Sequence, residues 1–272
     1  MKAYILQLGY LELDSICLTT FATRATREHP RIQHDWIKAP VWAVLVDTGA
    51  NKMLFDLGCM NGAMAPDGSG WSLDLQNRSP WFCPKGQSID EQLALIGLTT
   101  KQIDTVVLSH FHGDHFGPID KFTHTDIYIP KEDWLNALMI THIDSNLGHQ
   151  TSYLRQCLDV VVKQYHPVAI GEDFELFPGV EIITLPGHTA NLLGMVLHLD
   201  SGKCLVFPSD AVPTPEVYGP PVRYGGSIFD SISYLKSIEK VRKLEQKLHA
   251  QVMVSHSEKI FAGFKKAPEY YD

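Results

Sequence analysis

The stretch that most limits what this chain can fold into is "TVVLSHFHGDHFG", residues 105–117. Its apolar, β-branched start reads as a buried strand, and three histidines and an aspartate are crowded directly beyond it. His110 and His112, two positions apart, share one side of an extended segment. Gly113 lets the chain turn sharply, which brings Asp114 and His115 toward the same space. Neutral imidazoles and carboxylates are good ligands for zinc and other borderline divalent cations. Four such groups between positions 110 and 115 exceed what one tetrahedral ion takes from a single loop. The pattern therefore predicts two ions, with more ligands supplied from elsewhere in the chain.

Those further ligands are expected at the ends of later strands. "TLPGHT" puts His188 after a strand and a Pro-Gly turn, "LVFPSDA" puts Asp210 after another, and "VMVSHSE" puts His256 after the last. The recurrence at strand ends says more than any one of these residues. A carboxylate such as Asp210 can bridge two cations, holding them close enough to share a hydroxide. The remaining histidines have no partner spacing and are assigned no role.

Around these positions the chain reads as strands and helices in two similar halves. "VWAVLVDTGANKMLFDLG" predicts two strands joined by a hairpin turn around Thr48–Asn51. Residues 59–85, rich in Gly, Pro and Trp, are too long for a simple connection and read as a functional loop. Ser88 and Glu91 have capping-box spacing for a helix that Gly97 ends. "DIYIP" predicts a strand, and a less regular helical region follows over 131–162. Strands are expected in "VEIITLPG", "LLGMVLHLD" and "KCLVFPSD", then a long helix over 229–250 with Ile232, Leu235, Ile238, Leu244 and Leu248 at helical spacing, then a strand in "QVMVSH". Two packed sheets with helices outside, forming one domain over 1–272, satisfy this order.

Charge and cysteine usage narrow the function. With 23 basic and 31 acidic side chains the formal charge is −8, which argues against nucleic acid, since binding a polyanion draws on clustered Lys and Arg. The one dense basic run, "KSIEKVRKLEQK", alternates with Glu and reads as a solvated helix face. The N-terminus lacks the pattern of a signal peptide, and no segment approaches the ~18 apolar residues of a membrane span. The five cysteines include no C-x-x-C pair; reduced thiols in a cytoplasmic protein are expected.

"HFHGDH", "PGHT", "SDA" and "SH", in this order and at these separations, resemble the metallo-β-lactamase superfamily, and nearly the whole chain fits. Within it the sequence is most similar to the quorum-quenching N-acyl-homoserine lactonases, through "FPSDAVPTPEVYGPP", the "SPW" loop and the closing "FKKAPEYYD". The resemblance implies an α+β fold, an αββα sandwich of two mixed sheets with helices on the outer faces. It implies two divalent ions, most often zinc, with iron, cobalt or manganese as alternatives. His110, His112 and His188 would hold one ion, Asp114, His115 and His256 the other, with Asp210 bridging. Asp56 in "LFDLG", rather than Asp47 in "VDTG", would orient a ligand histidine. Leu11, Leu13, Met60, Trp81, Phe82 and Tyr218, with Trp71 in the same aromatic loop, would border an apolar substrate pocket. A homodimer is also implied.

The chemistry that follows is metal-dependent hydrolysis of an ester bond: opening of an N-acyl-homoserine lactone or related lactone by a hydroxide shared between the ions, with Asp114 as proton shuttle to the leaving oxygen. The chain departs from the lactonase pattern at Pro213, where the family carries a tyrosine whose hydroxyl contacts the substrate carbonyl. Proline offers no donor, so Tyr218 or Tyr224 would have to substitute, or the substrate differs. The alternatives are a thioesterase or other esterase of this fold and, further off, a di-iron redox protein.

Overall fold

The computed structural model describes residues 1–20, 25–32, 34–143 and 152–272. Among these residues, twelve strands form two sheets. The first orders β4 (Trp81–Phe82), β1 (Lys2–Asp14), β2 (Trp36–Asp47), β3 (Lys52–Phe55), β5 (Thr105–Val107), β6 (Asp126–Pro130) and β7 (Gln164–Val168). Pairing is antiparallel from β4 to β3 and parallel from β3 to β7. The second orders β12 (Gln251–Val252), β11 (Cys204–Phe207), β10 (Leu193–His198), β9 (Val180–Thr184) and β8 (Phe174–Phe177), with only β11 and β12 parallel. This is the mixed two-sheet α+β architecture expected.

Side-chain alternation along the strands builds the layers. Val44, Val46, Phe55 and Val107 face Ile182, Leu193, Met195 and Phe207 between the sheets. Their neighbours Ala43, Leu45, Leu54 and Val106 point to the opposite face, where Leu93 and Ala137 of covering helices meet them. On the outer face of the second sheet, Ile183, Val196 and Val206 pack on Tyr234, Ile238 and Val241 of the long helix Ser231–Leu248. Strands buried on both faces read as continuous apolar runs, as the sequence does here.

One bulge sets up the future cavity wall. In β1 the register with β2 slips between Gln7 and Tyr10, at Gly9, whose φ is +90°. The slipped residue changes the parity of the strand, so Leu11 and Leu13 share a cluster with Leu6 and Leu8 instead of crossing to the other face. Only glycine serves at this point, because a Cβ on Gly9 would lie 2.2 Å from the carbonyl oxygen of Phe82.

Several expectations change in detail. The 59–85 loop contains a short helix, Leu73–Arg78, as well as β4. Strands β7 and β8 had no clear alternation to reveal them. The capping box at Ser88 and Glu91 is formed. The expected helical region 131–162 contains α-helices Lys131–Ile143 and Arg155–Leu158; its residues 144–151 lie outside those described. The long helix is rotated from the expected face: Ile232 is 64% exposed, whereas Tyr234, Ser237, Ile238 and Val241 are buried. Ser237 fixes the rotation by donating to the Pro186 carbonyl at 2.7 Å, and Gly187 lets the Tyr234 backbone approach where any Cβ would meet it at 2.3 Å. Among the described residues no helix is long and apolar enough to cross a membrane, and the five cysteines are free.

The short helix Gly113–Phe116 is seated by another glycine contact. A Cβ on Gly117 would fall 1.9 Å from the Met60 nitrogen and 2.4 Å from the Cys59 carbonyl carbon. Both are backbone atoms, so the loop itself would have to move. Gly117→Ala is expected to cost ~2 kcal/mol or more and to lower the thermal midpoint by about 5 °C or more; calorimetry reporting an unchanged midpoint would refute this packing argument.

Candidate metal centre

Every ligand-type residue named from the sequence lies where a strand gives way to a loop at one edge of the two sheets. His110 and His112 follow β5, and Asp114 and His115 lie on the helix Gly113–Phe116. His188 follows β9, Asp210 follows β11 and His256 follows β12. Three imidazole nitrogens converge: His112 Nδ1 lies 3.1 Å from His110 Nε2 and 3.1 Å from His188 Nε2. Beside them, His115 Nε2 is 3.4 Å from Asp114 Oδ2, and His256 Nε2 is 3.7 Å from the same oxygen. Asp210 stands between the two groups. Its Oδ2 is 3.5 Å from His188 Nε2, 3.6 Å from His115 Nε2 and 3.2 Å from His256 Nε2.

The outer nitrogens of the rings are held from behind. Asp56, which caps the end of β3 with φ +62°, accepts from the Ser109 backbone at 2.7 Å, from Ser109 Oγ at 2.8 Å and from His115 Nδ1 at 2.8 Å. Ser109 Oγ, having given its proton to Asp56, accepts from His110 Nδ1 at 2.9 Å and from Ser209 Oγ at 2.9 Å. His256 Nδ1 donates to the Pro40 carbonyl at 3.1 Å. These bonds leave Nε2 of His110, His115 and His256 aimed inward, the arrangement by which an outer partner fixes a ligand's tautomer. Asp47 lies apart, its side chain accepting from Gly49 N in the hairpin turn.

Burial keeps the first histidine group neutral. It pushes His110 well below the usual imidazole range, His112 down to about 3, and His188 down as well, with neighbouring imidazoles adding to the effect. In the second group burial is outweighed by opposite charge. Asp114, Asp210 and Asp56 raise His115 well above its ordinary value, while His115 and His256 hold Asp114 down at about 2.

Does this donor set suit cations? His115 Nε2 is buried and makes no hydrogen bond, although two carboxylates lie near it. Three triads, His110–His112–His188, His110–His115–Asp210 and Asp114–His115–His256, each place their ligand atoms within 4.8 Å of one another. Inward-facing imidazole nitrogens with few proton donors, interleaved with carboxylates, fit divalent ions of the zinc type. Such a set could hold two.

A cavity of about 620 Å³ opens above the cluster. His112, Asp114, His188, Asp210 and His256 reach its floor, and Leu11, Leu13, Trp71, Leu75 and Phe229 contribute apolar wall. Leu11 and Leu13, named from the sequence, both line this cavity. Four other expected pocket residues are turned elsewhere. Trp81 Nε1 donates to the Leu8 carbonyl at 3.0 Å, and Phe82 stacks on Tyr10 with ring centroids 5.3 Å apart. Met60 packs behind the loop against the main core, near Gln156. Tyr218 donates to Glu245 at 2.5 Å and carries Arg242 over its ring, so the long helix claims it. Tyr224 packs toward Tyr234 and lines no part of the cavity, whereas Pro213 does.

Three important residues escaped sequence reasoning. Ser109 joins Asp56 to His110, as described. Asp133, fully buried at the start of helix Lys131–Ile143, accepts from Phe111 N at 2.9 Å and from Tyr153 Oη at 2.6 Å. Burial pushes its carboxyl up to about 7 despite those bonds. It pins the segment between His110 and His112. Tyr153 packs its ring on His112 at 5.3 Å. An acid in the first turn of a helix is ordinary, so nothing in the sequence marks Asp133 out.

Comparison with known proteins agrees with this geometry. The family model described as "Metallo-beta-lactamase superfamily" matches residues 37–256. N-acyl homoserine lactonase AiiB of Agrobacterium fabrum is 26% identical over 273 residues, 98% of each chain. The protein of that name from Rhizobium rhizogenes is likewise 26% identical over 273 residues and 98% of each. Among solved structures, an N-acyl homoserine lactone hydrolase with N-hexanoyl-L-homoserine at its catalytic metal centre superposes with a TM-score of 0.82 at 21% identity, covering 99% of this chain and 98% of that one. AidC, a dizinc quorum-quenching lactonase, superposes at 0.61 and 18% identity, covering 98% and 92%. At such identities these two structures speak to the fold.

Asp56→Asn keeps the size of the side chain and removes the charge behind His115. Loss of an outer-shell partner of this kind costs about 10–100-fold in metal affinity. Competitive chelator titration with zinc should show that weakening for the variant; equal affinity would mean that Asp56 does not orient His115 for a cation.

Proposed function

The chain belongs to the metallo-beta-lactamase superfamily, and on that premise we propose that it is a metal-dependent hydrolase, one catalytic domain that opens the ring of an N-acyl homoserine lactone or a closely related lactone. The observation that carries the reading is the convergence of seven His and Asp side chains, five of which reach the floor of a largely apolar cavity. The end-to-end similarity to two proteins named N-acyl homoserine lactonase supports the substrate class. Quorum quenching would be the consequence if the substrate is a signalling lactone.

His110, His112 and His188 would hold one cation and Asp114, His115 and His256 the other, with Asp210 shared; zinc suits this donor set. Bound there, two cations supply Lewis-acid polarisation of a carbonyl and a water made acidic enough to attack near neutral pH. The chain's own side chains do the remainder. Asp56, Ser109 and the Pro40 carbonyl keep the imidazoles aimed inward. The apolar wall excludes water and accepts the alkyl part of the substrate. Asp114, at the cavity floor and the less buried of the two carboxylates in the cluster, is placed to carry a proton to the ring oxygen as the ester bond breaks.

A second reading, hydrolysis of a different ester or a thioester on the same site, is favoured by Pro213. It lines the cavity without offering a donor, and neither Tyr218 nor Tyr224 replaces one there.

The test is hydrolysis of homoserine lactones of several acyl lengths, of γ- and δ-lactones and of a thioester, using zinc-loaded protein. Lactone turnover is expected, and Asp114→Asn should lower kcat/KM by about 10²–10⁴-fold. Turnover confined to the thioester would move the assignment to the second reading, and a zinc-replete protein inert toward every lactone would rule out the first.

A further inference from the structure

Among the described residues lining the cavity, Trp71 carries the one buried side-chain nitrogen or oxygen that has no hydrogen-bond partner. Its indole is 2% exposed. Three other donors on the wall are engaged: Asn136 Nδ2 with Tyr153 Oη at 3.3 Å, Thr189 Oγ1 with the Asn191 carbonyl at 2.6 Å, and Thr20 Oγ1 with the Tyr224 carbonyl at 3.0 Å. An indole N–H can only donate. Left without an acceptor in a buried place it carries a desolvation cost that folded proteins rarely leave uncompensated.

The indole is also held in place. The Trp71 backbone donates to the Ala63 carbonyl at 2.8 Å, and Gln76 Nε2 donates to the Trp71 and Ala65 carbonyls, each at 2.8 Å. The residue before it must be glycine, since a Cβ on Gly70 would lie 2.0 Å from the Gly62 carbonyl oxygen. The result is that Nε1 faces Gly113, 3.3 Å from where a Cβ would sit there. Gly113 separates His112 from Asp114, so the N–H stands beside the reacting end of the cavity but outside the His/Asp cluster.

Resting on the lactonase reading above, we infer that Trp71 Nε1–H is a substrate donor, and that its acceptor is a second carbonyl oxygen, the amide or acyl oxygen carried next to the scissile ring. The attacked carbonyl belongs over the His/Asp cluster, where charge converges. A neutral donor set to one side suits a neutral amide oxygen, which keeps its acceptor strength throughout the reaction. From the indole the wall continues through Leu75, Leu11 and Leu13, which would take the chain beyond that carbonyl. A site built with this donor discriminates against lactones that lack the acceptor, because binding them leaves the N–H buried and unpaired.

Trp71→Phe keeps an aromatic ring and removes the donor. With zinc-loaded protein, kcat/KM on N-hexanoyl homoserine lactone should fall about 5- to 20-fold, while a γ-lactone bearing an alkyl chain of similar length changes by no more than about twofold. Equal losses on both substrates would reduce Trp71 to a packing role, and no loss on either would overturn the inference outright. An independent readout uses the wild-type protein, in which the Trp71 indole ¹H–¹⁵N resonance is assigned by its absence from the variant. Saturating N-hexanoyl homoserine, the ring-opened compound, should move it downfield. If the wild type hydrolyses no lactone yet this signal shifts, the lactonase reading fails and the donor assignment stands; a signal unmoved at saturation rejects the donor.

Discussion

The carboxylate of Asp56 accepts two hydrogen bonds from Ser109 and one from His115, all within 2.8 Å. Through them the end of β3, the loop after β5 and the helix Gly113–Phe116 are locked together. Ser209 extends the junction by donating to Ser109 Oγ, which carries it across to the second sheet, one residue from Asp210. A one-residue slip in any of these loops would misplace a ring nitrogen by more than the cluster tolerates. The sandwich supplies rigid strands on both sides, and the Asp56 junction converts their relative position into the direction of the His110 and His115 imidazoles.

That arrangement has an internal cost. Burial disfavours the charged forms of His110, His112 and His188, and His115 Nε2 is left without a hydrogen bond. Neutral nitrogens facing one another gain nothing from the contact themselves. Cations would offset both penalties, and where they bind the folded arrangement more tightly than the unfolded chain, binding would also stabilise the fold. The same economy explains Trp71 at the cavity wall, where an unpaired donor is tolerated because a ligand completes it. Two of the buried polar atoms left without a partner among the described residues, His115 Nε2 and Trp71 Nε1, lie in the His/Asp cluster and on the cavity wall.

Much of the cluster was legible in the sequence because its histidines and aspartates sit in short motifs at strand ends, a pattern that survives without knowledge of the tertiary fold. Asp56 was distinguishable from Asp47 only by resemblance; the structure places one against His115 and the other in a turn. Asp133, Ser109 and Tyr153 were not legible, since their roles arise from contacts between segments far apart in the chain. The pocket was half legible. Leu11 and Leu13 reach it because a bulge at Gly9 changes the parity of β1, whereas Trp81 and Phe82 are consumed by pairing and stacking against β1 itself. For the long helix, apolar spacing alone gave the element but not its rotation, which a serine and a glycine contact decide.

The most direct test of the two-cation assignment is a crystal structure of zinc-loaded protein with anomalous diffraction recorded on either side of the zinc absorption edge. Two separate peaks are expected, one among His110, His112 and His188 and one among Asp114, His115 and His256, with Asp210 reaching both. A single peak, or none between these residues in protein that has taken up zinc, would contradict the dinuclear site on which the proposed hydrolysis depends.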